Sequence, residues 1–426
     1  MKALLSITWI FLLVIVFGSC DGDDEDFMPP MGPLATIEIG EDTYTSEQYV
    51  VIFLSKENGE LIEALEVQNG DIIELDRPTN FIEDQFTITI FEARTLSGGV
   101  NTYNIWSWRG VNPGSFKRIG NHDFNKLTEA NISFQNIPEH NGSLVSSPYR
   151  HRSDDNLPEQ VRVNVYGPDE SLGFVRLNRV SGPAYKVVDA LQPGENRAID
   201  LSDLRTDFGS RVISVPGNDY STIRLELDFF SLANDFNSYR YRVEDIFDSN
   251  PPAGLDQVPY AYPEDFLNND TYDLDIYLHT LFGSSRMNYL GNILPTAFES
   301  LSADIDFIST DRTDFQVNVN TIDPYDVMFS SWTYINFGGQ GSTSIIVYLI
   351  FSAPDDQSYS FPEFPDLIET EFPDFDITNL TLAEVGIYDF SQISSYEENI
   401  DLVFRQSGAT FRDQPYTLLS KGWKPF

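Results

Sequence analysis

The chain has little of the chemistry on which most enzymes depend. It contains one cysteine and four histidines in 426 residues. A single cysteine cannot form an internal disulfide, and the histidines lack the spacing of a zinc site. The sequence has no GxSxG elbow, no HExxH helix, no glycine-rich phosphate loop and no CxxC motif. No catalytic residue and no metal ligand can therefore be assigned from the sequence, and no cofactor is predicted.

Basic residues are also scarce. The chain has 26 Lys and Arg against 66 Asp and Glu, which gives a formal net charge of −40. The longest basic stretch is Tyr149-Arg150-His151-Arg152. Because binding to phosphate backbones needs clustered cations, this composition argues against nucleic acid as a partner.

Long apolar runs are missing except at the N-terminus. Lys2 is followed by an apolar run from Ala3 to Phe17, which is typical of a secretory signal peptide. A bilayer-spanning helix needs about 20 apolar residues, so a retained membrane anchor is the weaker interpretation. We interpret residues 1–19 as a cleaved signal peptide and residues 20–33 as a leash.

The only cysteine lies at the end of this apolar run. Gly18 and Ser19 before Cys20 resemble the lipobox of bacterial lipoproteins, with Phe17 at the position where leucine is usual. The resemblance implies cleavage between Ser19 and Cys20 and acyl chains on Cys20 that anchor the protein to a membrane. The alternative is an ordinary signal peptide followed by an unmodified thiol.

A run of carboxylates follows the cysteine. It resembles the surface-export signal of Bacteroidota-type lipoproteins and consists of Asp21, Asp23, Asp24, Glu25 and Asp26. The resemblance implies a lipid-anchored, surface-exposed protein of the outer membrane. It covers residues 1 to about 27 and implies nothing about the fold or activity of the remainder.

Alternation of apolar and polar residues dominates the rest of the chain and predicts antiparallel strands with one solvated face. The clearest segments are Tyr49–Ser55, Gln85–Glu92, Gln160–Tyr166, Thr222–Phe229, Tyr272–His279, Asp314–Asn320 and Leu380–Phe390. Asn58-Gly59 predicts a hairpin turn. The sequence therefore predicts an all-β protein of two or more antiparallel β-sandwich (Ig-like) domains. Short helices are expected at Ser202–Phe208, Tyr239–Phe247 and Pro295–Leu301.

Turn-rich stretches suggest where the domains end. We expect one β-sandwich over residues 34–126 and a second over 127–254, which ends at Pro251-Pro252-Ala253-Gly254. Residues 255–426 would then form a β-rich C-terminal domain of one or two units. Within it, Glu363-Phe364-Pro365-Asp366 recurs as Glu371-Phe372-Pro373-Asp374, which we interpret as a local repeat rather than a solenoid unit.

Aromatic residues give the one indication of ligand binding. Tyr103, Trp106 and Trp108 lie in one predicted strand, with the two tryptophans on the same face. Sugars stack on such rings, so these residues are candidate ligand-stacking aromatics. The alternative is that they fill a sandwich core.

Carboxylates are too numerous to nominate a pair. Asp273 with Asp275, and Asp304 with Asp306, would each share one face of a strand, where a solvated face is the simplest explanation. Acidic loops over residues 268–273, 311–314 and 323–326 are candidates for structural calcium, although none fits an EF-hand loop.

These observations leave three functions open. The first is a non-catalytic surface lipoprotein that binds a glycan or an envelope protein. The second is a polysaccharide or peptide hydrolase whose carboxylates are hidden among the many. The third is a structural component of the envelope.

Overall fold

The computed structural model describes residues 32–425, apart from 42, 80, 97, 120–126, 149, 167–170, 234–236, 265–270, 338–342 and 406–414. The described chain is all-β, with two short α-helices, and its sheets are mostly antiparallel and stacked face to face. The prediction of an all-β sandwich protein is confirmed. All seven alternating segments lie in strands, to within one residue at their ends.

The first part of the chain forms seven strands. They are β1 (Ala35–Ile39), β2 (Gln48–Ser55), β3 (Leu61–Glu66), β4 (Ile72–Leu75), β5 (Phe86–Leu96), β6 (Val100–Val111) and β7 (Ser115–Ile119). Asn58-Gly59 joins β2 to β3 as predicted, with Gly59 at a φ of +92° that favours glycine. The small sheet β4-β1-β7 covers β2, β5 and β6 and encloses an apolar core.

The middle part of the chain is a two-sheet sandwich. Its strands are β8 (Leu127–Gln135), β9 (Gly142–Ser147), β10 (Arg150–Asp154), β11 (Gln160–Tyr166), β12 (Ser171–Arg179), β13 (Gly182–Leu191) and β14 (Asn196–Asp200). They form the sheets β10-β9-β12-β13 and β11-β8-β14. A separate apolar cluster lies between the two sheets.

Six more strands follow. They are β15 (Phe208–Asn218), β16 (Thr222–Ala233), β17 (Asn237–Asp248), β18 (Leu255–Pro263), β19 (Tyr272–His279) and β20 (Gly283–Gly291). The pair β15-β18 packs on one face of β16, β17, β19 and β20.

The C-terminal part contains the remaining strands and both α-helices. The strands are β21 (Ala303–Asp311), β22 (Asp314–Thr321), β23 (Val327–Phe337), β24 (Thr343–Ser352), β25 (Ser358–Tyr359), β26 (Thr381–Phe390) and β27 (Tyr416–Trp423). Helix α1 is Asp366–Glu371, a 3-10 turn covers Ile377–Asn379, and helix α2 is Tyr396–Arg405.

One twelve-stranded sheet runs through these parts in the order β17-β16-β19-β20-β27-β26-β23-β24-β6-β5-β2-β3. Its neighbours are antiparallel except β24 and β6, which are parallel. One face is apolar along its length, because β15-β18, α1 and the small sheet β21-β22-β25 cover it. The other face is covered by β4-β1-β7 and α2 at the β3 end and carries charged side chains at the β17 end.

The three predicted helices are wrong. Residues Tyr239–Phe247 lie in β17, where pairing with β16 overrides a weak helical pattern. Residues 202–207 form bends and one isolated bridge, and residues 295–301 likewise contain no helical turn. The two α-helices of the described residues follow Pro365 and the pair Ser394-Ser395, both of which are helix-start signals.

Among the described residues, no helix is long and apolar enough to cross a membrane.

Candidate functional site

The residues that carry the predicted anchor lie outside the described part of the chain. They include Ser19, Cys20 and the acidic run from Asp21 to Asp26. Residues 268–270 of the predicted acidic loop at 268–273 are also outside it. The lipidation and export signals therefore stay predictions.

The predicted stacking aromatics lie on two faces of β6. Tyr103 is 2% exposed and packs against Phe372 and Phe375 at ring-centroid distances of 5.6 and 5.1 Å. Trp108, on the opposite face, is 8% exposed and stacks on Phe351 at 5.6 Å. Trp106 is half-buried beside it. Tyr103 and Trp108 thus occupy core positions, which was the alternative interpretation.

The two carboxylate pairs have different environments. Asp304 and Asp306 are exposed, as expected for a solvated strand face. Asp273 and Asp275 are only 3% and 4% exposed, so the expected solvated face is wrong for this pair. Asp275 forms an ion pair with Arg286 at 2.6 Å. Within the described residues, no group of three or more His, Cys, Asp or Glu side chains is placed to hold a metal ion.

A cleft of about 600 Å³ lies where edge strand β17 meets the sheet β10-β9-β12-β13. We call it the β17 cleft. Its floor is the ion pair of Arg176 and Glu244, whose side chains are 9% and 7% exposed. Arg176 Nη1 also donates to the Val243 carbonyl at 2.9 Å, and Glu244 Oε2 accepts from the Ala261 amide at 2.9 Å. These bonds fix the floor rigidly, because breaking a buried pair leaves an uncompensated charge.

The walls of the β17 cleft carry amides, carboxylates and one exposed ring. Asn178 accepts from Arg176 Nε at 3.1 Å, and Ser153 Oγ donates to Asp245 at 2.9 Å. Phe247 is 68% exposed at the rim. The other polar wall residues are Asn141, Ser143, Asp154 and Asp155. A ring beside carboxylates and amides is the set of groups that recognises a hydroxyl-rich ligand with apolar C–H faces.

Two of the cleft carboxylates are paired with arginines. Glu244 pairs with Arg176, and Asp154 pairs with Arg152. A carboxylate oxygen that is bonded to a guanidinium is a hydrogen-bond acceptor held in a defined orientation.

From the β17 cleft, the charged face of the sheet continues over β16, β19 and β20. We call this surface the polar face. Arg242 contacts Asp228 at 2.5 Å and Glu226 at 2.6 Å. Burial alone would raise the pKa of Glu226, but the hydrogen bond and charge of Arg242 outweigh it and hold the pKa below its usual range. Burial, and then the charge of Asp275, raises the pKa of Tyr277 to about 12, so its hydroxyl stays protonated.

His140 has a structural role. Its Nε2 accepts from the Leu157 amide and its Nδ1 lies 2.9 Å from the Pro138 carbonyl, to which it donates in that tautomer.

Comparisons with known proteins give no family for this chain. No family model matches it, and no curated protein matches it. Among solved structures, Escherichia coli alpha-2-macroglobulin activated by porcine elastase is similar at 11% identity and a TM-score of 0.12, over 84% of this chain and 41% of that one. The N-terminal four Ig domains of Dscam1 isoform 4.44 are similar at 10% identity and a TM-score of 0.12, over 80% and 87%. Structural similarity at this level gives no information about function.

Sequence reasoning missed the β17 cleft. Its residues come from β9, β10, β12 and β17, which are far apart along the chain. The one local signal was Phe247, an apolar residue on the solvent-facing side of an alternating strand.

Proposed function

We propose that the protein is a surface lipoprotein of a bacterial outer membrane, and that its folded part binds a neutral glycan in the β17 cleft. The observation that carries the binding proposal is the exposed ring of Phe247 beside the amides and carboxylates of a cleft with a fixed floor. Rings provide stacking surface for sugar C–H groups, and ionised carboxylates accept hydrogen bonds from hydroxyls.

The charge of the cleft supports a neutral ligand. Its arginine, Arg176, is already paired with Glu244, while Asp155 and Asp245 add negative charge to the walls. An anionic glycan would be repelled by these carboxylates and by the net charge of −40 of the whole chain. A neutral chain of hydroxyls can donate to these carboxylates, bond to the Asn amides and stack on the ring without charge repulsion.

The proposed anchor supports the same role. Acyl chains on Cys20 contribute about 0.8 kcal/mol for each buried methylene, so two or three chains hold a protein on a membrane durably. A self-repelling acidic leash after the anchor would keep the cleft away from an anionic membrane surface.

The binding proposal is tested with a glycan array probed by the mature chain carrying Cys20→Ala. We expect neutral glycans to bind, and Phe247→Ala to weaken this binding by about tenfold through loss of the stacking surface. Phe116→Ala is the matched control, because Phe116 is an exposed ring on β7 outside the cleft. Equal binding by both variants would reject the cleft as the site. Release of shorter sugars during incubation would instead support the hydrolase alternative.

The location is tested separately in cells. Labelled palmitate should enter the wild-type protein and not the Cys20→Ala variant, and protease added to intact cells should digest the wild-type protein. An unlabelled wild-type protein would reject the anchor without affecting the binding proposal.

A further inference from the structure

A single line of paired residues crosses six neighbouring strands and begins at the β17 cleft. Phe247 is the register partner of Arg224, which in turn faces Tyr277 on β19. Tyr277 faces Arg286 on β20. The line continues through Ser420 on β27 to Tyr388 on β26. We call these six residues the transverse row. Directly paired residues in a sheet lie on the same face, so the transverse row forms one continuous strip of the polar face.

We infer that the ligand is a neutral oligosaccharide of several units that leaves the β17 cleft and lies along the transverse row. This inference rests on the proposed function and extends it to the length and class of the ligand. Neighbouring strands are about 4.8 Å apart, so the five steps from Phe247 to Tyr388 span about 24 Å. A strip of this length is suited to a chain rather than to a single sugar.

The rings of the row are held in place by their neighbours. The Arg286 guanidinium lies 4.6 Å from the Tyr277 ring centroid and forms two bonds with Asp275, at 2.9 and 2.6 Å. At the far end, Tyr388 stacks on Phe329 at 4.8 Å with 19° between the rings. Tyr277 and Arg286 are each half-buried, so part of each side chain still faces solvent, while Tyr388 also packs against the apolar core enclosed by β4-β1-β7. Rings held in this way lose little conformational entropy when a ligand stacks on them.

Glycine allows the far end of the strip to lie close to the sheet. A Cβ at Gly386 would come within 2.1 Å of Phe329 Cε1, so only glycine lets this ring lie over the backbone and support Tyr388. A Cβ at Gly422 would likewise meet the Glu384 carboxylate.

The charges of the row favour a neutral ligand. Arg224 pairs with Glu226, and Arg286 pairs with Asp275, so both cations are already neutralised. The paired carboxylates keep lone pairs that can accept hydrogen bonds from hydroxyls. A polyanion would find no unneutralised arginine in this row.

The test is a length series measured by calorimetry on the mature chain carrying Cys20→Ala. The probes are cello-, malto- and manno-oligosaccharides of two and six units, with polygalacturonate as the anionic comparison. We expect at least one hexasaccharide to bind about tenfold more tightly than its disaccharide, since the added units stack on the row. Tyr277→Ala should remove this gain and leave disaccharide binding unchanged, whereas Tyr277→Phe should retain it.

The outcomes separate the two proposals. Both proposals are supported if Phe247→Ala weakens disaccharide and hexasaccharide binding by about tenfold each while Tyr277→Ala removes only the additional affinity of the hexasaccharide. Equal binding of disaccharide and hexasaccharide by the wild-type chain overturns the extended strip and leaves the cleft intact. Tighter binding of polygalacturonate than of every neutral probe overturns the neutral ligand. If Tyr277→Ala fails to fold, Tyr388→Ala tests the far end of the same row by the same readout.

Discussion

At the scale of single residues, the β17 cleft depends on one buried ion pair. Glu244→Gln would leave Arg176 without its carboxylate in a place that is 9% exposed. We expect the free energy of unfolding to fall by about 3–5 kcal/mol, because an uncompensated buried charge is costly. The measurement is the midpoint of urea unfolding. Glu129→Gln is the control, since Glu129 and Arg150 are 50% and 45% exposed and should contribute less than about 1 kcal/mol.

A loss of less than 1 kcal/mol in Glu244→Gln would show that the floor of the β17 cleft relaxes when its charge is removed. The cleft could not then be treated as preformed.

A second residue-scale prediction concerns Glu226 and acid. Because its folded pKa is depressed, its charged form contributes stability above its unfolded pKa of about 4.3. That contribution is lost as the pH falls through the folded pKa. The stability deficit of Glu226→Gln relative to wild type should therefore be full at pH 7 and shrink below about pH 4. Urea midpoints between pH 7 and pH 3 measure it.

Glu92 is the control, because its charge is expected to affect stability in the opposite direction. Burial raises its pKa, against a hydrogen bond from Gln48, so its charged form costs stability at neutral pH. That cost disappears as the pH falls through the raised pKa. A deficit of Glu226→Gln that stays constant with pH would contradict the assignment.

At the scale of secondary-structure elements, helix α2 is held to the sheet by a cation as well as by apolar packing. Lys117 on β7 is 2% exposed and contacts Asp401 of α2 at 3.0 Å, while Tyr396 and Ile400 are buried in the core beneath. Asp401→Asn should weaken the docking of α2, because it removes a carboxylate from a buried ammonium. We expect hydrogen exchange of the α2 amides to rise about tenfold or more.

Glu397→Gln is the matched control, since Glu397 lies on the same helix and accepts from Asn112 at an exposed position. Equal exchange rates in the two variants would show that apolar packing alone holds α2.

Local pattern predicted the strands well and the helices poorly. Alternation identified strands such as β11 and β22 because one face of each is buried, and a period of two follows directly from that. Helix α2 is preceded by Ser395, whose Oγ accepts from the Glu398 amide, a helix-start signal. It is only ten residues long, however, and its burial depends on β6 and β7. The cleft and the transverse row could not be predicted, because they depend on which strands become neighbours.

At the scale of the whole molecule, the pairing of β6 with β24 is the contact that joins the N-terminal and C-terminal parts of the chain in one sheet. This parallel pairing runs from Val100 opposite Thr343 to Trp108 opposite Phe351, and it joins strands far apart in the sequence into one sheet. Parallel strands so distant in the sequence leave no local sequence signal of their pairing. The predicted domain boundaries at residues 126 and 254 therefore rest on turn composition alone. Expression of fragments tests those boundaries.

A fragment of residues 34–126 should self-associate. Without β24, the edge of β6 would be a long unpaired strand that carries Tyr103 and Ile105, which are 2% and 0% exposed in the intact chain.

A fragment of residues 127–205 should be monomeric and unfold cooperatively, because both of its sheets and their shared apolar cluster lie within it. Size-exclusion chromatography and thermal circular dichroism measure both. Co-expression with residues 301–426 should restore solubility to the first fragment, since it supplies β24. A monomeric, cooperatively folded 34–126 fragment would instead mean that the β6 edge is stable without β24, and would establish residue 126 as a true domain boundary.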